Sequence, residues 1–525
     1  MAALRTPSGP HLRPGWADLA VAFALVAAAL AALLPFRHRD GIADPDALDM
    51  AAGMAHGLQP GVRFRDTLMY GRLISPGAYL AFHWFYPLLF HDPTHTIGFL
   101  NAVGLAAMAL LPWPLYMLYR WRFAPAVAAN ATWIVTLTPL VWGVGCSFHP
   151  IAPAVLLLLL AVHAHARRGA TPAGLAWFAA GAALGFAGLC LRAEIALAAP
   201  ALLLAALLAP GRWRALAAAA ASIALAVAGF VLVAGALAPE RGGGARALSG
   251  YGAGFIDRYL GLGAIAHTLV WVPLAMGVAT AAVAIVAAWR RRRIAGADRT
   301  AVNGLLVATL AWASTVLFWL PNRVFVPRHY LLAVPALVWI AAELAMSRTA
   351  RSRLGTLAAA IAIANLLVPE VLYAAWNLAH PGRTKWPNGT FLSARARDEI
   401  QIHRTRGLAG PVLARHPAGA FFQVDWAGLA ALLYDLALRP QPFALLSEGG
   451  PIEGARFYRY RVEGAEIRVL LIQPAWLIEP GPYTASARAC LAGEIEAARR
   501  DGLEVVLPRE IAGAGFLEHP PDSVY

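Results

Sequence analysis

Residues 16–36 read WADLAVAFALVAAALAALLPF, an apolar stretch with one acid, Asp18, preceded by Arg5 and Arg13. Its reading decides the fold. As a cleaved secretory leader it would precede a water-soluble protein, and as a first span it would open a polytopic membrane protein. It is longer than the roughly 7–15 residues of a leader's apolar region. Comparable runs follow at about 96–118, 124–144, 149–166, 172–189, 192–210, 215–238, 264–289, 301–320, 329–347 and 354–376. Each approaches the roughly 20 apolar residues needed to cross a hydrocarbon core of about 30 Å. We therefore expect an uncleaved first span and an α-helical polytopic membrane protein with about eleven transmembrane helices. Several runs are short, and the fourth and fifth also suit a tilted or re-entrant arrangement.

Composition agrees. Of 525 residues 59% are hydrophobic and only 14% charged, against about 25% charged in a soluble domain. The net charge of +14 would suit a nucleic-acid partner, but the arginines sit in short clusters between apolar runs and report membrane orientation instead. Lys385 is the only lysine. Arg5 and Arg13 precede the first run; Arg120 and Arg122 follow the second, Arg167 and Arg168 the fourth, and Arg212 and Arg214 the sixth. Arg290 to Arg293 follow the eighth run and Arg348, Arg351 and Arg353 the tenth. Every cluster thus falls on one side, as the positive-inside rule requires. The expectation is a multi-pass protein of the plasma (inner) membrane with a cytoplasmic N-terminus and an extracytoplasmic C-terminus.

Two domains follow: a membrane domain over residues 1–376, including a long first outer loop at 37–95, and a soluble extracytoplasmic domain over 377–525. In the latter, residues 465–473 and 503–508 read as strands with a helix over 486–500 between them, a small α/β arrangement. Cys146, Cys190 and Cys490 have no metal-ligand spacing. Cys146 and Cys190 both fall near the outer face, where a bridge and free thiols are alternative readings.

The first outer loop opens with four carboxylates, Asp40, Asp44, Asp46 and Asp49. Asp44 before Pro45 suits a helix cap with proline at the first helical position, and Asp46 suits the positive end of the helix. A carboxylate there is also placed to act as general base on an acceptor hydroxyl, and capping would fix it in position. Farther along, Phe82–Tyr86 reads as an interfacial aromatic belt. His91, Asp92 and His95 have suggestive metal-ligand spacing but fit a solvated loop entering the second span better. Arg192-Ala193-Glu194 near the outer end of the sixth run reads equally as an internal ion pair or as a substrate contact. Arg323, Arg328 and His329 lie on the side where positive charge is sparse. They call for an anionic partner, a phosphate ester or a lipid headgroup.

The ordered set of motifs resembles the GT-C superfamily of membrane glycosyltransferases, which includes protein O-mannosyltransferases and lipid A aminoarabinose transferases. Three features carry it: the acidic loop start (Asp44, Asp46) with the downstream 54–57 and 75–79 segments, the 192–194 triplet, and residues 328–335 opening a late span. The resemblance covers residues 1–376. It implies a polyprenyl-phosphate-linked sugar donor, a lipid, glycan or protein acceptor, transfer on the outer face and inversion at the anomeric carbon. It further implies Asp44 or Asp46 as base, with Arg192, Arg323, Arg328 and His329 holding the donor phosphate. Many members carry a second acid in the outer loop after the third span, whereas residues 143–150 here contain no carboxylate. A divalent metal is compatible with the family, but the sequence offers no ligand cluster for one.

A lipid or polysaccharide-precursor flippase is the main rival. Transporters usually place ionisable groups near mid-membrane and repeat their halves; here Glu194, Glu343 and Glu370 fall near span ends and no repeat is visible. A non-catalytic assembly protein is a third reading.

Overall fold

The computed structural model describes residues 15–36, 45–62, 85–136, 141, 144–145, 148–168, 174–209, 211–237, 299–319, 331–345, 407–440, 442–452, 455–472, 474–478, 480–481 and 483–525. They belong to two compact units, one drawn from residues 1–37, 72–78 and 101–394, the other from 38–71, 79–100 and 395–525.

The first unit is helical. Nine of the eleven apolar runs coincide wholly or in part with described helices, while 264–289 and 354–376 lie outside the described residues. Among the described residues, Trp16–Leu33, Pro93–Arg120, Gly174–Leu191 and Arg212–Ala236 are long and apolar enough to cross a membrane. Shorter apolar helices include Ile151–Arg167, Ala301–Thr315 and Ala333–Glu343. These lengths and compositions are consistent with membrane association.

Prolines punctuate the helices at their starts, where the missing N–H costs nothing: Pro112 opens Pro112–Arg120 and Pro125 opens Pro125–Thr136. Small residues set the packing of neighbouring helices. A side chain added at Gly181 would come within 2.7 Å of the His165 ring, so Gly174–Leu191 lies close against Ile151–Arg168. Two ion pairs tie helix ends together. Asp18 accepts from Arg120 Nε at 2.7 Å and from Tyr116 Oη at 2.9 Å. Arg122 forks onto Glu343 at 2.8 and 2.9 Å. The thiol of Cys190 is free, and Cys146 lies outside the described residues.

The second unit is built on a six-stranded sheet: β1 (Gly419–Val424), β2 (Phe443–Gly449), β3 (Arg456–Val462), β4 (Ala465–Leu471), β5 (Glu504–Leu507) and β6 (Ser523–Val524). Their spatial order is β2-β3-β4-β1-β5-β6. β2, β3 and β4 form an antiparallel meander, and β1 runs parallel to both β4 and β5. Glu463 and Gly464 turn the β3–β4 hairpin with φ of 53° and 88°, the left-handed pair a two-residue loop needs. Gly419 starts β1 at φ +128°, where a Cβ would collide with the Glu466 carbonyl oxygen.

Every residue of β1 is buried, so the sheet is covered on both faces at this central strand, while β2 at the edge is largely exposed. The helix Thr484–Arg500 supplies one cover: its Ala487, Leu491, Ile495 and Ala498 pack with Phe421, Leu470, Val505 and Leu507. The expected strands and the helix between them match β4, β5 and this helix closely.

The helix Trp426–Ala437 packs on β1 and β4, and it is apolar nearly all round. A helix of that kind needs cover on its far side. That cover is the first-loop helix Pro45–Gly57, whose residues 47–56 are all buried. The described parts of the loop 37–95 thus fall in the same compact unit as the C-terminal sheet.

Candidate functional site

The acidic helix Pro45–Gly57 begins at Pro45, as the Asp-Pro pair predicts. Asp46 is its second residue. Asp44 lies outside the described residues, as do Arg323, Arg328 and His329. Asp49, one turn beyond Asp46, is buried.

At its other end the helix is moored to the sheet domain. His56 Nε2 lies 2.9 Å from the Phe443 carbonyl oxygen, and its ring stacks on Phe443 with centroids 4.2 Å apart. Two residues past the helix, Gln59 Nε2 donates to the carbonyls of Leu436 (3.3 Å), Ala437 (3.1 Å) and Arg439 (2.9 Å). These close the helix Trp426–Ala437, whose last carbonyls have no partner within the helix. Nothing in the local sequence signals a contact between residues 377 to 380 positions apart.

Farther along the loop, Asp92 caps the turn Pro93–His95, accepting from Thr94 N at 2.8 Å and Thr94 Oγ1 at 2.7 Å. The Thr94 hydroxyl and amide hold its carboxyl below the usual range. Asp92 Oδ1 is thus engaged within the loop, and Oδ2 faces His95 Nε2 at 3.7 Å. Among the described residues no three His, Cys, Asp or Glu side chains converge to hold a metal. Thr96 Oγ1 lies 3.3 Å from Tyr434 Oη on the helix Trp426–Ala437, a second tie between loop and sheet domain. Desolvation pushes the Tyr86 hydroxyl well above its ordinary value, and it donates to the Asp92 carbonyl.

In the helical unit Arg192 interrupts the chain between Gly174–Leu191 and the tight turn Ala193–Ala198, with an extended backbone (φ −156°, ψ 114°). Its Nη2 pairs with Glu194 at 2.9 Å, and both side chains are at most 4% exposed. Of the two readings of the triplet, the ion pair is thus realised.

One further polar cluster lies in the sheet domain. Buried Glu504 meets Arg415 at 3.2 Å and His416 at 3.0 Å, and Ser523 donates to it. Ser523 bonds the carboxylate and not His416, so the trio lacks the order of a nucleophile–base–acid relay.

Comparison with protein-family models, curated proteins and solved structures gives no match. The functional reading therefore rests on the chain's own residues.

Proposed function

We propose that the chain is a multi-pass membrane glycosyltransferase. It moves a sugar from a polyprenyl-phosphate donor to an acceptor hydroxyl on the outer face. The observation that carries the proposal is the acidic start of the first loop: in sequence Asp44 and Asp46 stand on either side of Pro45, which opens the helix Pro45–Gly57, and a carboxylate at such a position suits a general base. The acceptor oxygen attacks the anomeric carbon from the face opposite the lipid phosphate. The bond to the phosphate oxygen breaks with its electron pair, the acceptor proton passes to Asp44 or Asp46, and the configuration inverts. Arg323, Arg328 and His329 bind the leaving phosphate, whose growing charge preorganised cations stabilise. Arg192 already has Glu194 as counter-charge, so its part is to support that site.

The ion pairs of the helical unit support a shared side for these span ends, which either orientation of the chain requires. The start of Trp16–Leu33 meets Arg120, and Arg122 meets Glu343 near the end of Ala333–Ala345. An N-terminus inside, with even-numbered spans ending inside, requires these ends to share a face.

The test is mass spectrometry of cell-envelope glycans from a deletion strain complemented with wild type, Asp44→Asn or Asp46→Asn. A glycan lost on deletion should return with wild type and stay low with one of the two variants. Loss of a general base costs about 10²–10⁴-fold in rate. Full restoration by both variants would remove the base assignment, and an unchanged glycan profile on deletion would remove the proposal.

A further inference from the structure

The mooring of the acidic helix lies at the end opposite its carboxylates, and a rigid helix transmits what happens there. From Asp46 to Gln59 the chain covers about 20 Å at helical rise. A tilt of roughly 10° at the mooring would swing the Asp46 end by roughly 3 Å. A displacement of about 1 Å at a reacting group can cost roughly 10²-fold in rate.

We propose that Gln59 and His56 are positioning residues, which clamp the acidic helix to the C-terminal α/β domain so that this domain fixes where Asp46 meets the acceptor. The inference rests on the transferase reading above and gives the C-terminal domain its role. The clamp has two parts of different chemistry. Gln59 donates its amide N–H groups to the last two carbonyls of Trp426–Ala437, Leu436 and Ala437, and to that of Arg439 just beyond, anchoring one helix on the terminus of another. His56 stacks on Phe443, the first residue of β2, and bonds its carbonyl, which ties the helix to the strand next in the chain. Together they fix both the position and the rotation of the acidic helix. The burial of residues 47–56 leaves it little freedom to slide.

The chemistry of the Gln59 contact supplies a rescue that a mere packing role would not show. The carbonyl end of a helix carries partial negative charge, so a cation there is favourable and a carboxylate unfavourable. Gln59→Lys keeps a donor at those carbonyls. Gln59→Leu removes it with little change of volume, and Gln59→Glu sets an acceptor against acceptors.

The experiment uses the full chain in detergent or nanodiscs. Hydrogen–deuterium exchange is read over residues 45–57 and over β1 and β4. Turnover is read with a panel of polyprenyl-phosphate-linked hexoses and aminoarabinose. Gln59→Glu and Gln59→Leu should speed exchange in the acidic helix, leave β1 and β4 protected and lower kcat by about 10-fold or more with donor KM within about twofold. Gln59→Lys should restore both exchange and kcat. Three results would overturn the proposal: exchange over 45–57 unchanged in Gln59→Glu, a loosened helix with unchanged kcat, or loss of protection in β1 and β4 together with the helix. A wild-type protein inactive on every donor would instead sink the transferase reading and the catalytic half of this one with it. The exchange measurement would then decide the clamp by itself.

Discussion

At the scale of single residues, the buried Arg192–Glu194 pair invites the sharpest separation of structure from function. Removing one partner of a buried ion pair strands the other charge and costs about 3–5 kcal/mol, whereas replacing both with apolar groups is often neutral. Glu194→Gln should therefore destabilise the protein strongly, seen as a lower thermal midpoint in detergent. The double substitution Arg192→Leu/Glu194→Leu should recover most of that loss. Donor turnover in the stable double variant then tells the roles apart: unchanged turnover makes the pair structural, and lost turnover makes Arg192 a phosphate contact. The triplet was legible in sequence because its partners are two positions apart. Gln59 was not legible, because its acceptors are carbonyls hundreds of residues away and a carbonyl has no signature of its own.

At the scale of elements, legibility follows the burial pattern. β4 shows partial alternation between buried and half-exposed residues and could be recognised from sequence. β1 is buried at all six positions and has no alternation to read. The helix Trp426–Ala437 is apolar nearly all round, like a membrane segment, but its 12 residues are too few to span. It is instead a core helix between a sheet and a helix from the first loop.

The β3–β4 hairpin also carries a pH dependence. Arg459 donates to Glu466 at 2.6 Å and Arg468 at 2.8 Å. The Arg459 guanidinium above all, with Arg468 beside it, lowers the Glu466 carboxyl from 4.5 to about 2. A depressed carboxylate stabilises the fold above its unfolded value and loses that contribution as pH falls through the folded one. Protection of β3 and β4 amides should thus decline between pH 4.5 and about 2. In Glu466→Gln that decline should be flattened and protection at neutral pH lower. Equal slopes in the two proteins would show that the cluster is screened by solvent.

At the scale of the whole molecule, the apolar runs made the helical character of the first unit legible, since lipid imposes a length and composition that sequence displays directly, and four described helices meet it. The partnership of the first loop with the C-terminal sheet was hidden, because long-range packing leaves no periodicity behind. Asp46 stands on a helix held by the sheet domain, while Arg323, Arg328 and His329 fall in sequence between the helices Arg299–Trp319 and Ala333–Ala345. In the proposed reaction these groups serve cleavage of a lipid-linked sugar. The direct measurement is release of polyprenyl phosphate from the donor panel by the purified full chain in sealed vesicles, for wild type, Arg323→Lys and Arg328→Lys. Arginine offers a planar bidentate fork that lysine lacks, so the account predicts release by wild type and weakened donor use in both variants, although charge is preserved. Donor carried across the bilayer uncleaved, or release equal in all three proteins, would contradict it.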